Sequence, residues 1–182
     1  MRSWSHSSGL PGRRNFPRQN AAFSLIELMV AMTIMSLLFL LAVPTYQKLQ
    51  RKAKVAALAN DFRVFAAAFQ AHAHDSGVWP AEIGPGEVPI GMTPEELKYD
   101  SWRRTTPMGG QFDWEHDQVH PGATRPDQKV TAAITISSTD DAPLTMDADL
   151  FVAVDQTIDD GNPNEGNFRL GYGDLPLFVI EN

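Results

Sequence analysis

Asp155, Asp159, Asp160, Asn162, Asn164 and Glu165 crowd one Gly-containing loop near the end of the chain. Carboxylates and amides at that density are hard oxygen ligands, and the ion they would hold is calcium. The spacing is not that of an EF-hand, because Gly161 comes too early. The same residues also suit a solvated turn, where Asp and Asn serve backbone conformation. His116 and His120 stand four apart with Asp113 and Glu115 beside them, the interval of a helical metal pair. They lack the H-E-x-x-H order and fall in an apparent loop, so no metal is expected there. No nucleophile and base constellation, phosphate loop or dinucleotide fingerprint occurs in the sequence. An enzyme is therefore not expected, nor any cofactor beyond that calcium. The remaining oddity is Glu27, one acid near the start of an apolar run over residues 23–46.

The elements that carry these groups follow from composition. With 182 residues the chain has room for one domain plus an anchor. It has no cysteine, which excludes disulfides and thiolate metal sites. The formal net charge is -7, yet residues 1–22 carry Arg2, Arg13, Arg14 and Arg18 and no acid, so the remainder is strongly acidic. An acidic exterior argues against a nucleic-acid partner, since phosphate binding needs a basic face. Residues 1–22 are rich in Ser, Arg and Pro and lack apolar periodicity; they are expected to be disordered and to act as a targeting leader.

Residues 28–43 contain no charge, and residues 23–26 extend the run to roughly the 20 residues that span a bilayer as a helix. A secretory signal would be shorter and end in a small-x-small cleavage site, whereas Val43 is followed by Pro44, Thr45, Tyr46 and Gln47. A membrane-spanning helix is the expectation. A carboxylate among lipid tails costs about 2.5–3.5 kcal/mol on insertion scales, so Glu27 needs a cation. The candidates are the leader arginines or a new amino terminus made by cleavage just before Phe23.

The octapeptide Ala22-Phe23-Ser24-Leu25-Ile26-Glu27-Leu28-Met29 resembles the processing motif of type IV prepilins and type II secretion pseudopilins. Pro44 and Tyr46, near the end of the apolar run, match as well, while Ala22 stands where the family usually has glycine. The resemblance implies a prepilin peptidase and methyltransferase that cuts between Ala22 and Phe23 and methylates the new Phe23 amino group. It implies that Glu27 pairs with the amino terminus of a neighbouring subunit, and that Pro44 belongs to the assembly half of the helix. It further implies a single-pass protein of the bacterial inner membrane, with its N-terminus cytoplasmic and its globular domain periplasmic. From there the subunit would join copies of itself or other pilins in a pilus or pseudopilus, through an inner-membrane assembly platform. Orientation rests on the resemblance, because Lys48, Arg51, Lys52 and Lys54 beyond the span rival the leader arginines.

Pro44 lacks an N–H and its ring crowds the carbonyl of Leu40, which should loosen the helix without ending it. Val55, Leu58, Phe62, Phe65 and Phe69 form an apolar stripe, with Arg51, Lys54, Asp61 and Arg63 elsewhere, so the helix is expected to reach about Asp75. Ser76-Gly77 and Pro80 supply its stop, and His72 and His74 favour its negative end. Residues 79–128 are dense in Pro and Gly and read as a loop region, with one short helix capped by Thr93-Pro94-Glu95-Glu96. Residues 106–114 are similar to a Pro-x-Gly-Gly-x-aromatic-Asp-Trp segment of some bacterial pilin-like proteins. Trp79, Trp102 and Trp114 are expected to plug this region onto the helix.

Val130, Ala132, Ile134 and Ile136 alternate with Thr131, Ala133, Thr135 and Ser137, a half-buried strand. Residues 141–158 are expected to be helical, capped by Asp140 or Asp141 and stopped by Gly161. Residues 168–172 and 175–180 read as a hairpin around Gly173-Asp174, completing a three-stranded antiparallel sheet.

The expectation is an α+β, pilin-like fold: a leader over residues 1–22, a transmembrane and assembly segment over 23–46, and a periplasmic globular domain over 47–182. The matching function is a prepilin-like structural subunit, major or minor. The alternative is an uncleaved, membrane-tethered periplasmic binding protein dependent on calcium.

Overall fold

A computed structural model describes residues 23–118 and 130–182. Helix α1 covers Leu25–Ser76 and runs through Pro44. It is followed by the short helices α2 (Pro94–Leu97) and α3 (Tyr99–Arg103), strands β1 (Gln111–Gln118) and β2 (Val130–Ser137), helix α4 (Ala148–Ile158), and strands β3 (Phe168–Leu170) and β4 (Pro176–Glu181). The chain divides into two compact units at Pro44/Thr45.

In the unit that starts at Thr45, α1 ends where expected. Gly77 adopts φ +78° and its N–H closes on the carbonyl of Ala73 at 2.9 Å. That left-handed stop is the conformation glycine takes without steric cost. The apolar stripe is the core face: Leu58, Phe62, Phe65 and Phe69 are fully buried. Their spacing of three and four places them on one side of the helix. Phe62 meets Phe112 and Phe168 edge-on, and Phe65 meets Trp102 and Phe112 the same way. Asp61, assigned by its charge to the outer face, is instead buried and bonded to the guanidinium of Arg104. An ion-pair partner some forty residues away lets a carboxylate sit beside the stripe.

The sheet is antiparallel with strand order β1-β2-β4-β3, four strands where three were expected. The added strand is β1, taken from the supposed loop region 79–128. Its entrance explains the paired glycines. Gly109 and Gly110 both have positive φ, and a Cβ on Gly109 would stand 2.2 Å from the carbonyl oxygen of Pro143. Only a bare backbone lets these segments meet, and the N–H of Thr145 then reaches the carbonyl of Met108 at 2.8 Å. Beyond the turn, Phe112 lies opposite Ile136 and Trp114 opposite Ile134, all four fully buried.

The tryptophans fasten the rest of the segment. Trp102 donates its indole N–H to the carbonyl of Glu87 at 2.9 Å, and Trp114 to that of Pro80 at 3.0 Å. Trp79 donates to the Glu181 carboxylate at 2.6 Å and tilts against Trp114. Helix α2 has the full capping box, with Thr93 Oγ accepting from Glu96 N–H and the Glu96 carboxylate accepting from Thr93 N–H. Helix α3 was not anticipated, since five residues carry too little period to read.

Strand β2 is buried on both faces, not one. Ala133 and Thr135, expected outward, are sealed: Ala133 packs with Val130, Leu177 and Val179, and Thr135 Oγ1 donates to the carbonyl of Pro176. Small side chains in a central strand permit this second layer. The helix expected over residues 141–158 begins late, at Ala148, with Asp147 as its cap accepting from Leu150 N–H at 3.0 Å. Pro143 disfavours helical backbone at Ala142, and the next residues are committed to the glycine turn. Asp140 and Asp141 therefore lie in a bend ahead of it. The β3-β4 hairpin forms with Phe168 opposite Phe178 and Leu170 opposite Pro176, joined by a tight turn at Tyr172–Asp174.

Candidate functional site

Phe23 and Ser24 immediately precede α1. The Ser24 hydroxyl and carbonyl accept from the N–H of Glu27, at 3.2 and 3.1 Å, and the carbonyl also accepts from Leu28 N–H at 3.2 Å. Ser24 is thus the helix cap, which uses the residue type that best satisfies unpaired first-turn donors. Phe23 projects ahead of it, 75% exposed. Glu27 occupies the first turn, where helix N–H groups favour a negative charge.

From Phe23 to Val43 the large apolar side chains are exposed, and the helix is long and apolar enough to cross a membrane. The hydroxyls of Thr33 and Ser36 are satisfied within the helix: Thr33 Oγ1 donates to the carbonyl of Met29 and Ser36 Oγ to that of Met32, each at 2.8 Å. Lipid offers no alternative partner, so this internal bonding is what a span requires. Pro44 is inside α1. Ala22 and the leader arginines lie outside the described residues.

Beyond the span, the unit that starts at Thr45 opens with Lys48, Arg51, Lys52 and Lys54. Arg51 pairs with Asp149 at 3.0 Å and Asp147 at 3.4 Å, at the head of α4.

The acidic loop follows α4. Asp160 Oδ1 accepts from Asn162 N–H at 2.8 Å, and Asn162 Oδ1 from Asn164 N–H at 3.2 Å. Glu165 donates its N–H to the carbonyl of Asn162. Asp159 Oδ2 accepts from the N–H groups of Asn167 and Phe168, fastening the helix end to the start of β3. Asp155, grouped with the loop by sequence, lies instead on the buried face of α4 beside Phe151 and Val154. Burial pushes its carboxyl above the usual range, the Gly161 backbone N–H opposes the rise, and Asp160 and Asp159 add to it. An acid within the apolar stripe of α4 is the sequence signal that singles it out. His116 is on β1, opposite Ala132, and not in a loop; His120 lies outside the described residues.

Residues 17–43 match the family model described as the prokaryotic N-terminal methylation motif. No curated protein matches the chain. The structure is similar to that of the major Type IV pilin PilA1 from Clostridium difficile, with TM-score 0.40 and 16% identity over 72% of this chain and 97% of that one. That likeness is too distant to bear on function. The matched segment contains the octapeptide from Ala22 to Met29.

Proposed function

We propose that this pilin-like chain is a filament subunit of the type IV pilus or type II secretion pseudopilus kind, processed between Ala22 and Phe23 and assembled through α1. The observation that carries the reading is the construction of the N-terminal end. A helix capped by Ser24 begins two residues after the expected cut, presents a carboxylate in its first turn and exposes apolar side chains on every face up to Val43.

An apolar surface of that extent is stable in lipid or against other apolar helices, not in water. Cleavage before Phe23 would supply an amino group four residues from Glu27, and a pairing within one chain would do nothing to bury the apolar surface. The Glu27 carboxylate would instead pair with the methylated amino terminus of a neighbour, and two charges would be neutralised together on entering the filament. The peptidase, the inner-membrane platform and other pilins are the partners this requires, and the globular unit would face the periplasm.

Amino-terminal sequencing and intact mass of the protein from its own membranes test the reading. The expected product begins at Phe23 with one added methyl group. A retained Met1 leader would overturn it in favour of the tethered binding protein.

A further inference from the structure

Lys48, Arg51, Lys52 and Lys54 lie within seven residues of α1, and no acid occurs between Glu27 and Asp61. Lysines on an exposed helix face ordinarily keep their charged heads in water and do nothing more. Here the chain after residue 22 is otherwise strongly acidic, so the cluster is a local reversal of sign, and it stands just beyond the apolar run. Lys48 is separated from Val43 by about 7.5 Å of helix at roughly 1.5 Å per residue. Lipid headgroups extend about 5–7 Å beyond the hydrocarbon core on each side. Helix side chains lean towards the N-terminus, which carries the lysine ammonium groups back towards that layer.

Arg51 is already engaged, because Asp149 and Asp147 take its guanidinium at 3.0 and 3.4 Å. Lys48 and Lys52, one turn apart on the same face, are exposed and have no ion-pair or hydrogen-bond partner among the described residues. With Arg51 they line a groove of about 470 Å³ whose apolar wall is Val55 and Ala56 of α1 and Ala153 of α4. Lys54 belongs to the same run but not to the groove. Like charges at i and i+4 of a helix repel, and an anion between the two ammonium groups removes that cost.

We propose that Lys48 and Lys52 hold the phosphodiester of an anionic phospholipid, with the headgroup alcohol against the wall of the groove. Choline and ethanolamine headgroups carry their own cation beyond the phosphate and would bring it against Arg51 and Lys52, so a glycerol headgroup is favoured over a zwitterionic one. Each lysine at an anionic lipid surface contributes about fivefold in affinity. The contact fixes the depth of α1 in the bilayer and is given up when the helix leaves it. The inference rests on the membrane span proposed above, and holds whether or not the leader is cleaved.

The test uses the full-length protein in nanodiscs of phosphatidylcholine and phosphatidylglycerol in equal amounts. Lipids that stay bound after release into detergent are read by native mass spectrometry. Phosphatidylglycerol is expected to be retained over phosphatidylcholine by about tenfold or more. Lys48→Gln and Lys52→Gln should each lower that preference about fivefold and the double variant should abolish it, whereas Lys54→Gln changes it less than about twofold. All three lysines are exposed, so the variants keep the fold. Inorganic phosphate at millimolar concentration should leave the lipid in place; displacement would make this a site for free anions and overturn the lipid assignment. Equal retention of both lipids by the unmutated protein overturns the proposal, as does a preference that survives the double variant or falls as far in Lys54→Gln. If the double variant keeps its preference yet no longer forms filaments, the groove belongs to a neighbouring subunit instead. A chain that fails to enter discs of phosphatidylcholine alone would overturn the span, and one that enters without any lipid preference would overturn the lipid site alone.

Discussion

The ring of Phe69 on α1 lies flat against the indole of Trp114 on β1, with centroids 3.8 Å apart and planes 9° from parallel. This stack joins the long helix to the sheet, and the indole N–H continues it to the carbonyl of Pro80 at 3.0 Å. Trp114→Ala removes the stack, leaves a cavity and abandons that carbonyl, and should cost about 3–5 kcal/mol. Trp114→Phe keeps an aromatic face and loses chiefly the hydrogen bond, for about 1–3 kcal/mol. Urea unfolding with an unchanged m-value measures both, and equal losses in the two variants would show that the stack contributes nothing.

The neighbouring Asp113 points to the other face of β1 and titrates unusually. Burial is the main cause that pushes its carboxyl up to about 6, with Glu115 and Glu82 adding to the rise and the Ser137 hydroxyl and Trp114 amide opposing it. A raised carboxyl favours the protonated folded state, so the contribution to stability is fully present below about pH 4 and is lost as pH rises through about 6. Asp113→Asn mimics the protonated acid. It should be more stable than the parent by up to about 2 kcal/mol above pH 7, with the gap closing towards pH 4. Thermal unfolding across that range checks the sign; a gap that widens on acidification would reverse it.

The parts of the fold legible in the sequence are those with a long period or a local chemical signature. The stripe from Leu58 to Phe69, the Gly77 stop and the Thr93 capping box depend on neighbours within a few residues. Strand β1 depends on a turn whose need for Gly109 comes from Pro143, more than thirty residues away, so its mixed polarity reads as loop. Asp61 and Asp155 divide along the same line. Asp61 looks like an outward charge until a distant element closes over it and supplies Arg104, whereas Asp155 is marked locally by the apolar stripe of α4 in which it sits. The Ser24 cap and Glu27 are legible because the N-terminal segment is read by its own sequence and not by its packing.

Glu27 separates folding from assembly. It is exposed in the first turn of α1, and the domain core is built from residues beyond Val55. Glu27→Ala should therefore leave the thermal unfolding of the globular unit within about 0.5 kcal/mol of the parent, as expected for a surface change. In a filament the same change would leave each neighbouring amino terminus unpaired in an apolar medium, a loss of about 3–5 kcal/mol per contact. Glu27→Asp keeps the charge on a shorter side chain and should retain part of the assembly. The measurement is filament recovery from cells producing each variant, set beside the membrane-bound pool and its unfolding midpoint. Normal filament yield from Glu27→Ala would remove the pairing from the mechanism, and a lowered unfolding midpoint would make Glu27 a folding residue.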